Sequence, residues 1–215
     1  MPASSSPASV LAQGLEKLPL KITNNDSERL LHYIELLAHW NRKHNLTAVR
    51  DVQEMVPLHL LDSLAILPFL PPGRLLDLGS GAGLPGIPLA IAQPGREIVL
   101  LDASFKRVVF LREVIRKLAL PNVQALHARA EQASLPAFDV ITTRGFASLC
   151  KTIEQSEHLL SPKGFWVAMK GRYPGKELAE LGQRDNSRGY LHRIEPLLVP
   201  GLDAERHILL IGKQP

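Results

Sequence analysis

The sequence contains a single cysteine, Cys150, among its 215 residues. One cysteine excludes an internal disulfide framework and any zinc site built from several cysteines, and it is typical of a protein from a reducing compartment. The chain has no uninterrupted apolar run of the roughly 20 residues that span a bilayer. Its first ten residues also lack the basic start and apolar stretch of a secretory signal. These absences predict a cytoplasmic protein that does not enter a membrane.

Neither sign of charge dominates the composition. There are 25 lysines and arginines against 21 acidic residues, a formal net charge of +4, and 45% of the residues are hydrophobic. This balance excludes the low-hydrophobicity, high-charge composition of disordered proteins. The small cationic excess agrees with a polyanionic partner such as nucleic acid but does not identify one. At this length we expect one sizeable domain, or one domain with a small appendage.

Three segments are distinguished by their residue patterns. Residues 1–20 begin with a stretch of serine, alanine and proline that predicts a disordered or poorly ordered tail. Residues 21–72 predict a helical cap, because apolar residues recur at helical spacing over 25–40 and again over 52–70. Two prolines and a glycine end this segment, so residues 73–215 are predicted to form the catalytic domain.

Short apolar runs alternate with amphipathic segments after residue 73. Strands separated by helices form parallel βαβ crossovers, so we predict an α/β fold with a doubly wound, Rossmann-like sheet. Ligands of such sheets bind beyond the carboxyl ends of the strands. The predicted strands are 74–78, 97–101, 123–126, 138–142, 165–169 and 207–211, and the predicted helices are 85–92, 104–118, 147–160 and 175–181.

A glycine-rich loop, DLGSGAGLPG over residues 77–86, follows the first predicted strand. Glycine at positions Gly79, Gly81 and Gly83 removes three side chains, which lets the backbone turn sharply and approach a ligand closely. Pro85 suits the first turn of the next helix, where its missing N–H is not needed. The loop therefore predicts a ligand bound against its backbone.

Two cofactors fit this loop. Residues 81–86 match the dinucleotide pattern G-x-G-x-x-G, and Asp102 lies about 20 residues further on, where a ribose-binding acid is expected. The pattern acid-x-Gly-x-Gly-x-Gly, which starts at Asp77, favours S-adenosylmethionine instead, because this acid suits a cationic aminoacyl group and repels a pyrophosphate. Asp102 serves the ribose of either cofactor, or it caps the helix that follows. An NAD(P)-dependent oxidoreductase thus stands as the alternative to a methyltransferase.

Two further strands are followed by candidate site residues. Ala130 and Glu131 follow the third strand, where backbone amides and an acidic side chain would contact the adenine edge, unless the segment is only an exposed loop. Arg144 and Phe146 follow the fourth strand, at the edge where ligands bind. Arg144 is the candidate catalytic residue.

Five short motifs stand in order along the chain: WNRKHNLT at 40–47, HLLDS at 59–63, DLGSGAGLPGIP at 77–88, KRVVFL at 106–111 and ERH at 205–207. Together they resemble those of the ribosomal small-subunit methyltransferase G enzymes, also called glucose-inhibited division protein B. The resemblance extends from about residue 40 to residue 207. One departure is visible, since Thr143 and Gly145 stand where the family is expected to have serine and alanine.

The resemblance implies a bacterial class I methyltransferase that transfers a methyl group from S-adenosylmethionine to N7 of one guanine in 16S ribosomal RNA. Its partner would be that RNA or a small ribosomal subunit particle. Matching positions imply cofactor contacts at Gly79, Leu84, Ala130, Glu131 and Arg144. Guanine N7 has an in-plane lone pair and no proton, so the reaction needs alignment and no general base. A non-catalytic RNA-binding protein with a vestigial cofactor pocket is a further alternative.

Cationic and aromatic side chains predict the RNA surface. We expect that the base leaves its stack when the enzyme reaches N7 inside folded RNA. Arg144 and Phe146 are expected to hold it, unless they serve packing or a salt bridge. Separated cationic clusters suit an extended phosphate-binding surface, although a solvated helix face has the same pattern. The predicted RNA contacts are Arg107, Arg112, Arg116, Phe146 and Lys170.

His59 and Asp62 lie three residues apart and share one face of a predicted helix. With no third ligand evident, this pair does not predict a metal site. We interpret it as a polar tether between the cap and the catalytic domain.

Overall fold

The structure, a computed structural model, describes residues 6–184 and 190–213, without the side chains of residues 184, 190–192 and 213. Within this part of the chain, seven strands form one sheet. The strands are β1 (Leu75–Leu78), β2 (Ile98–Asp102), β3 (Val123–His127), β4 (Phe138–Arg144), β5 (Leu160–Lys170), β6 (Tyr190–Pro196) and β7 (His207–Lys213).

Helices cover both faces of this sheet. The α-helices are α1 (Pro7–Leu15), α2 (Asn24–His44), α3 (Val52–Met55), α4 (Asp62–Leu64), α5 (Gly86–Ala92), α6 (Phe105–Lys117), α7 (Leu149–Ser156) and α8 (Gly175–Arg184). A π-helix, Val56–Leu61, joins α3 to α4, and short 3-10 helices lie at Leu67–Phe69, Ala130–Gln132 and Glu157–Leu159. In the part of the chain described, no helix has the length and hydrophobicity needed to cross a membrane.

The strand order is β3-β2-β1-β4-β5-β7-β6. The first five strands are parallel, whereas β7 is antiparallel to both of its neighbours. Every residue of β1 and β2 is buried, as expected for central parallel strands covered by helices on both faces. The predicted α/β, Rossmann-like fold class is confirmed.

One strand and one helix were missed by the sequence prediction. The strand β6 was not predicted, and α1 lies inside the segment predicted to be a disordered tail. Ser6 caps α1 by accepting a hydrogen bond from the Ser9 N–H. Leu11 is buried, and the backbone of Gly14 lies so close to Leu61 that a Cβ would collide with it. Tertiary packing therefore holds a segment whose composition suggested disorder, while residues 1–5 lie outside the described residues.

The segment 21–72 is largely helical, as predicted. Helix α2 begins with a capping box in which Thr23 and Asp26 satisfy each other's backbone N–H groups. The predicted second helix is interrupted by the π-helix, which begins directly before Pro57, a residue that cannot donate to the helical ladder. One hydrophobic core runs from these helices to the sheet, and the division into separate cap and catalytic domains stays a prediction.

Candidate active site

The glycine loop after β1 presents one open position. Gly79, Gly81 and Gly83 have φ angles of +70°, +59° and +95°, in the left-handed region that favours glycine. A Cβ on Gly79 would collide with the ring of Phe146, and one on Gly83 would collide with Ile87. A Cβ on Gly81 would meet only the Gly79 carbonyl oxygen, 3.9 Å away. The loop is therefore tightly packed at Gly79 and Gly83 and has room for a ligand at Gly81.

Asp77 lies beneath this loop. Its side chain is fully buried, and its Oδ2 accepts a hydrogen bond from the Gly86 N–H at 2.9 Å. Burial raises the pKa of this carboxyl group to about 7, against the lowering effect of the Gly86 N–H and of Arg144. This burial and the hydrogen bond to Gly86 show that Asp77 anchors the loop and the start of α5. Its contact with a cofactor stays a prediction.

Asp102, at the end of β2, joins the loop to α6. Its Oδ2 accepts a hydrogen bond from the Gly81 N–H at 2.8 Å, and its Oδ1 accepts one from the Ser104 N–H at 2.8 Å. Arg107 lies 3.4 Å from the same carboxylate. Asp102 therefore ties the glycine loop to the residue before α6 without capping the helix itself. The lone pairs that remain on its oxygens leave capacity for ribose hydroxyls.

The other predicted cofactor residues surround this edge of the sheet. Ala130 and Glu131 form a 3-10 turn just beyond β3, whose last residue is in register with Asp102. Ala130 is buried and Glu131 is exposed. Leu84 belongs to the glycine loop, and its side chain is buried in the core. Their contacts with a cofactor stay predictions.

A tyrosine that the sequence analysis did not single out also supports the loop. Tyr33, on α2, is fully buried, and its hydroxyl donates a hydrogen bond to the Ala82 carbonyl oxygen at 2.7 Å. Burial raises the pKa of this hydroxyl, which keeps it protonated as a donor. The helical segment thus holds the glycine loop directly.

We expect Tyr33→Phe to lower the free energy of unfolding by about 1–3 kcal/mol, because the buried Ala82 carbonyl loses its donor. S-adenosylmethionine affinity should fall several-fold, since the loop is then held less firmly. Urea unfolding and calorimetric titration measure the two effects. Unchanged stability would mean that this carbonyl finds another donor.

Arg144 lies at the end of β4 and is held by the helical segment. Its Nη1 donates hydrogen bonds to Asp62 Oδ2 and to the Leu58 carbonyl oxygen, both at 3.1 Å. Arg206, just before β7, donates through Nε to the other oxygen of Asp62 at 2.9 Å. Asp62 is only 3% exposed. One buried carboxylate therefore positions two arginines, and the predicted tether is present at Asp62.

A cavity of about 440 Å³ opens beside these arginines. It lies at the carboxyl ends of β4 and β5, where Lys170 is in register with His207 of the antiparallel β7. Its volume lies in the usual range for small-ligand sites. The cavity lining includes Leu58, His59, Asp62, Arg144, Gly145, Met169, Lys170, Arg206 and His207.

His59 lines this cavity as a neutral side chain. It is 5% exposed, and its Nε2 lies 3.0 Å from the Thr47 hydroxyl. Burial, together with the nearby Arg144, lowers its pKa to about 4, against the raising effects of the Leu58 backbone and of Asp62. The contact of His59 with Thr47 therefore stays within the helical segment. Asp62 is the residue that links this segment to Arg144 and Arg206.

A buried neutral histidine makes stability depend on pH. Because the pKa of His59 falls from 6.5 to about 4 on folding, its contribution is complete above pH 6.5 and is lost as the pH falls toward 4. Asp77 has the opposite slope, since its raised pKa gives a contribution that is lost as the pH rises toward 7.

The variant His59→Gln tests this dependence by urea unfolding. When the pH falls from about 7.5 to about 5, we expect the wild type to lose about 2 kcal/mol more of its free energy of unfolding than the variant loses. Parallel pH profiles for the two proteins would contradict this.

Each of the five predicted RNA-contacting side chains is held by a contact within the chain. The contacts are Arg107 with Asp102, Arg112 with the Ala125 carbonyl, Arg116 with Glu113, Lys170 with Glu177, and the Phe146 ring with Gly79. Phe146 is half-buried against the loop, as the packing interpretation expected. Their contacts with RNA stay predictions.

Over residues 6–184 and 190–213, no three His, Cys, Asp or Glu side chains converge as metal ligands.

The parallel sheet with one antiparallel strand, the open glycine loop after β1 and the acid at the end of β2 define a class I, Rossmann-like S-adenosylmethionine-dependent methyltransferase. An S-adenosylmethionine-dependent methyltransferase from Aquifex aeolicus has this fold, with a TM-score of 0.54, 20% identity and coverage of 72% of this chain and 91% of that one. The chain itself belongs to the rRNA small subunit methyltransferase G (GidB) family, whose model matches residues 26–209.

Relatives from other bacteria agree with this assignment. The ribosomal RNA small subunit methyltransferase G of Chromobacterium violaceum is 46% identical over 202 residues, which cover 93% of this chain and 94% of that protein. The protein of the same name from Methylobacillus flagellatus is 43% identical, over 94% of this chain and 96% of its own length. The sequence-based resemblance is confirmed, and the oxidoreductase and the non-catalytic alternatives were wrong.

Proposed function

We propose that this protein methylates N7 of a guanine in 16S ribosomal RNA, with the free RNA or a small-subunit particle as its partner. The observation that carries the proposal is the cavity in which Asp62 holds Arg144 and Arg206 at the carboxyl edge of the sheet, next to the glycine loop. The relatives' names supply the RNA class. Because the substrate is ribosomal RNA, we place the activity in the cytoplasm.

The residues at the loop fit S-adenosylmethionine, which supplies a methyl group on a positively charged sulfur. Gly81 leaves room against the backbone, where a larger residue would fill the space. Asp102 lies beside it with lone pairs free to accept ribose hydroxyls. The site therefore combines an open backbone surface, against which a nucleoside can lie, with an acid that can accept hydrogen bonds from its two adjacent ribose hydroxyls.

The cavity suits a base that is methylated without proton removal. His59 is neutral but engaged with Thr47, and Asp77 is buried under the loop, so neither side chain is placed to act as a general base. Guanine N7 needs none, because its lone pair attacks the methyl carbon directly. The arginines can instead bind O6 or a phosphate and leave N7 free. Their role is to hold the base in line with the methyl group.

A methylation assay tests this proposal. Purified protein is incubated with radiolabelled S-adenosylmethionine and with small subunits or 16S ribosomal RNA from a strain that lacks the enzyme. Borohydride reduction and aniline cleavage then identify N7-methylguanine at nucleotide resolution. We expect cleavage at one guanine. Label incorporated without aniline-sensitive cleavage would overturn the N7 assignment.

We expect Arg144→Lys to lower the single-turnover methylation rate by more than about tenfold, which corresponds to about 1.4 kcal/mol of transition-state stabilisation. Lysine keeps the charge next to Asp62 but cannot copy the planar guanidinium that binds Asp62 and the Leu58 carbonyl together. Equilibrium titration with S-adenosylmethionine provides the control. Unchanged cofactor affinity with slow transfer indicates a role toward the base, and a near-wild-type rate would remove Arg144 from the mechanism.

A further inference from the structure

A second cavity, of about 600 Å³, adjoins the one that contains Arg144. Leu197, Arg206 and His207 line both cavities, so the two lie side by side. Together they are called the groove, with the Arg144 cavity as its inner part. The outer part of the groove runs between Tyr173, which follows β5, and the connection from β6 to β7. A polymer whose target base occupies the inner cavity has a direct path into this outer part.

Tyr173 provides an open aromatic surface in the outer groove. Its side chain is 60% exposed, and its ring meets His207 edge to face, with ring centroids 5.8 Å apart and planes at 79°. The His207 ring is itself oriented by a hydrogen bond from Nδ1 to the Gly171 carbonyl oxygen at 3.0 Å. Leu198, which also lines this cavity, is 91% exposed. Large apolar surface at the rim of a polar site is typical of a binding surface.

The charges of the outer groove favour a base over a phosphate. Lys17 and Arg206 contribute positive charge, but Asp203 and Glu205 line the same cavity. Arg206 is moreover engaged with Asp62 and with the Glu205 carbonyl oxygen. A surface with balanced charge gains little from neutralising phosphates. An exposed ring, in contrast, is stabilised by stacking on a nucleobase, whatever the identity of that base.

We propose that the outer groove binds a nucleotide adjacent to the methylated guanosine, with its base stacked on Tyr173. This inference rests on the proposed function, because it takes the inner cavity as the site of the target base. When the target base leaves its stack, its neighbour loses a stacking partner, and Tyr173 replaces that partner. The groove thus stabilises the extruded form of the RNA strand.

Steady-state kinetics of Tyr173→Ala and Tyr173→Phe on 16S ribosomal RNA or small subunits test the proposal. We expect the alanine variant to raise KM for the RNA substrate about tenfold, with unchanged affinity for S-adenosylmethionine, because only the stacking surface is lost. The phenylalanine variant keeps the ring and should behave like the wild type. Because Tyr173 is exposed, both variants should fold, which thermal unfolding verifies. An unchanged KM in the alanine variant would refute the groove assignment.

A fluorescence readout identifies what the ring contacts. The RNA that the wild-type enzyme methylates is rebuilt with 2-aminopurine at one of the two neighbours of the target guanosine. Stacking on Tyr173 should quench the fluorescence at one neighbour in the wild type and in the phenylalanine variant, but not in the alanine variant. Quenching that is the same in all three proteins would refute stacking. A KM effect confined to whole subunits, with unaltered quenching, would assign the groove to a ribosomal protein and likewise overturn the proposal.

The same experiments separate this inference from the function on which it rests. If the wild-type protein fails to produce N7-methylguanine in 16S ribosomal RNA, the proposed function and the groove assignment both fail. If the wild-type protein methylates the RNA normally and Tyr173→Ala does the same, only the groove assignment fails.

Discussion

Replacing Gly81 with valine should abolish S-adenosylmethionine binding, with a loss of affinity of more than about a hundredfold. The substitution introduces a branched side chain at a φ of +59°, which costs about 1–2 kcal/mol in backbone strain. It also fills the open space above the loop, where the structure has no atom within 3.9 Å of the new Cβ. Because that space is open to solvent, the folded state accommodates the side chain, while the ligand does not. Calorimetric titration and circular dichroism measure the two outcomes.

Backbone strain alone has to be separated from loss of the binding space. Gly201→Val is a matched control, because Gly201 has a φ of +80° and lies in the connection between β6 and β7, outside the cofactor loop. It should destabilise the protein and leave cofactor affinity at the wild-type value. Normal affinity in a folded Gly81→Val protein would show that the cofactor does not lie against this loop.

Asp62→Asn should lower the free energy of unfolding by about 2–4 kcal/mol and the methylation rate by more than about tenfold. The buried carboxylate accepts from both Arg144 and Arg206, whose side chains are only 23% and 22% exposed. Asparagine removes the negative charge and directs an amide donor at one of the arginines, which leaves a poorly solvated charge unpaired. Both arginines then lose the geometry in which they line the cavity.

An exposed ion pair provides the comparison for this variant. Glu97→Gln breaks the pair between Arg74 and Glu97, in which Glu97 is 57% exposed, and should cost less than about 1 kcal/mol. Urea unfolding and single-turnover methylation apply to both variants. If Asp62→Asn were as mild as Glu97→Gln and fully active, the arginines would hold their positions without the carboxylate.

Local patterns were sufficient to predict most of the fold and the position of the site. The strands β1 to β5 and β7 were predicted because buried parallel strands appear as short apolar runs between amphipathic helices. The strand β6 has the sequence Tyr190–Pro196, which includes His, Arg and Glu, and it is paired only through β7. Its strand conformation depends on a long-range partner that no local pattern reveals.

The same reason explains how the candidate site residues were selected. The glycine loop, Asp102 and Arg144 follow predicted strands, and parallel strands bring their carboxyl ends to one edge. Tyr33 has helical spacing and looks like a core residue, so its bond to Ala82 could not be inferred. Asp77 was assigned to the cofactor on its charge, but its depth beneath the loop depends on the packing of α5.

The position of β7 also determines the order in which the molecule can be assembled during translation. Because β7 lies between β5 and β6, the ribosome synthesises β6 before the strand that β6 requires as a partner. A nascent chain arrested just before residue 206 has an open edge on β5 and has no second arginine for Asp62. Such a chain contains every residue of the glycine loop but lacks Arg206, the second partner of Asp62. Translation through β7 therefore closes the sheet and completes the cavity beside Arg144 in one step.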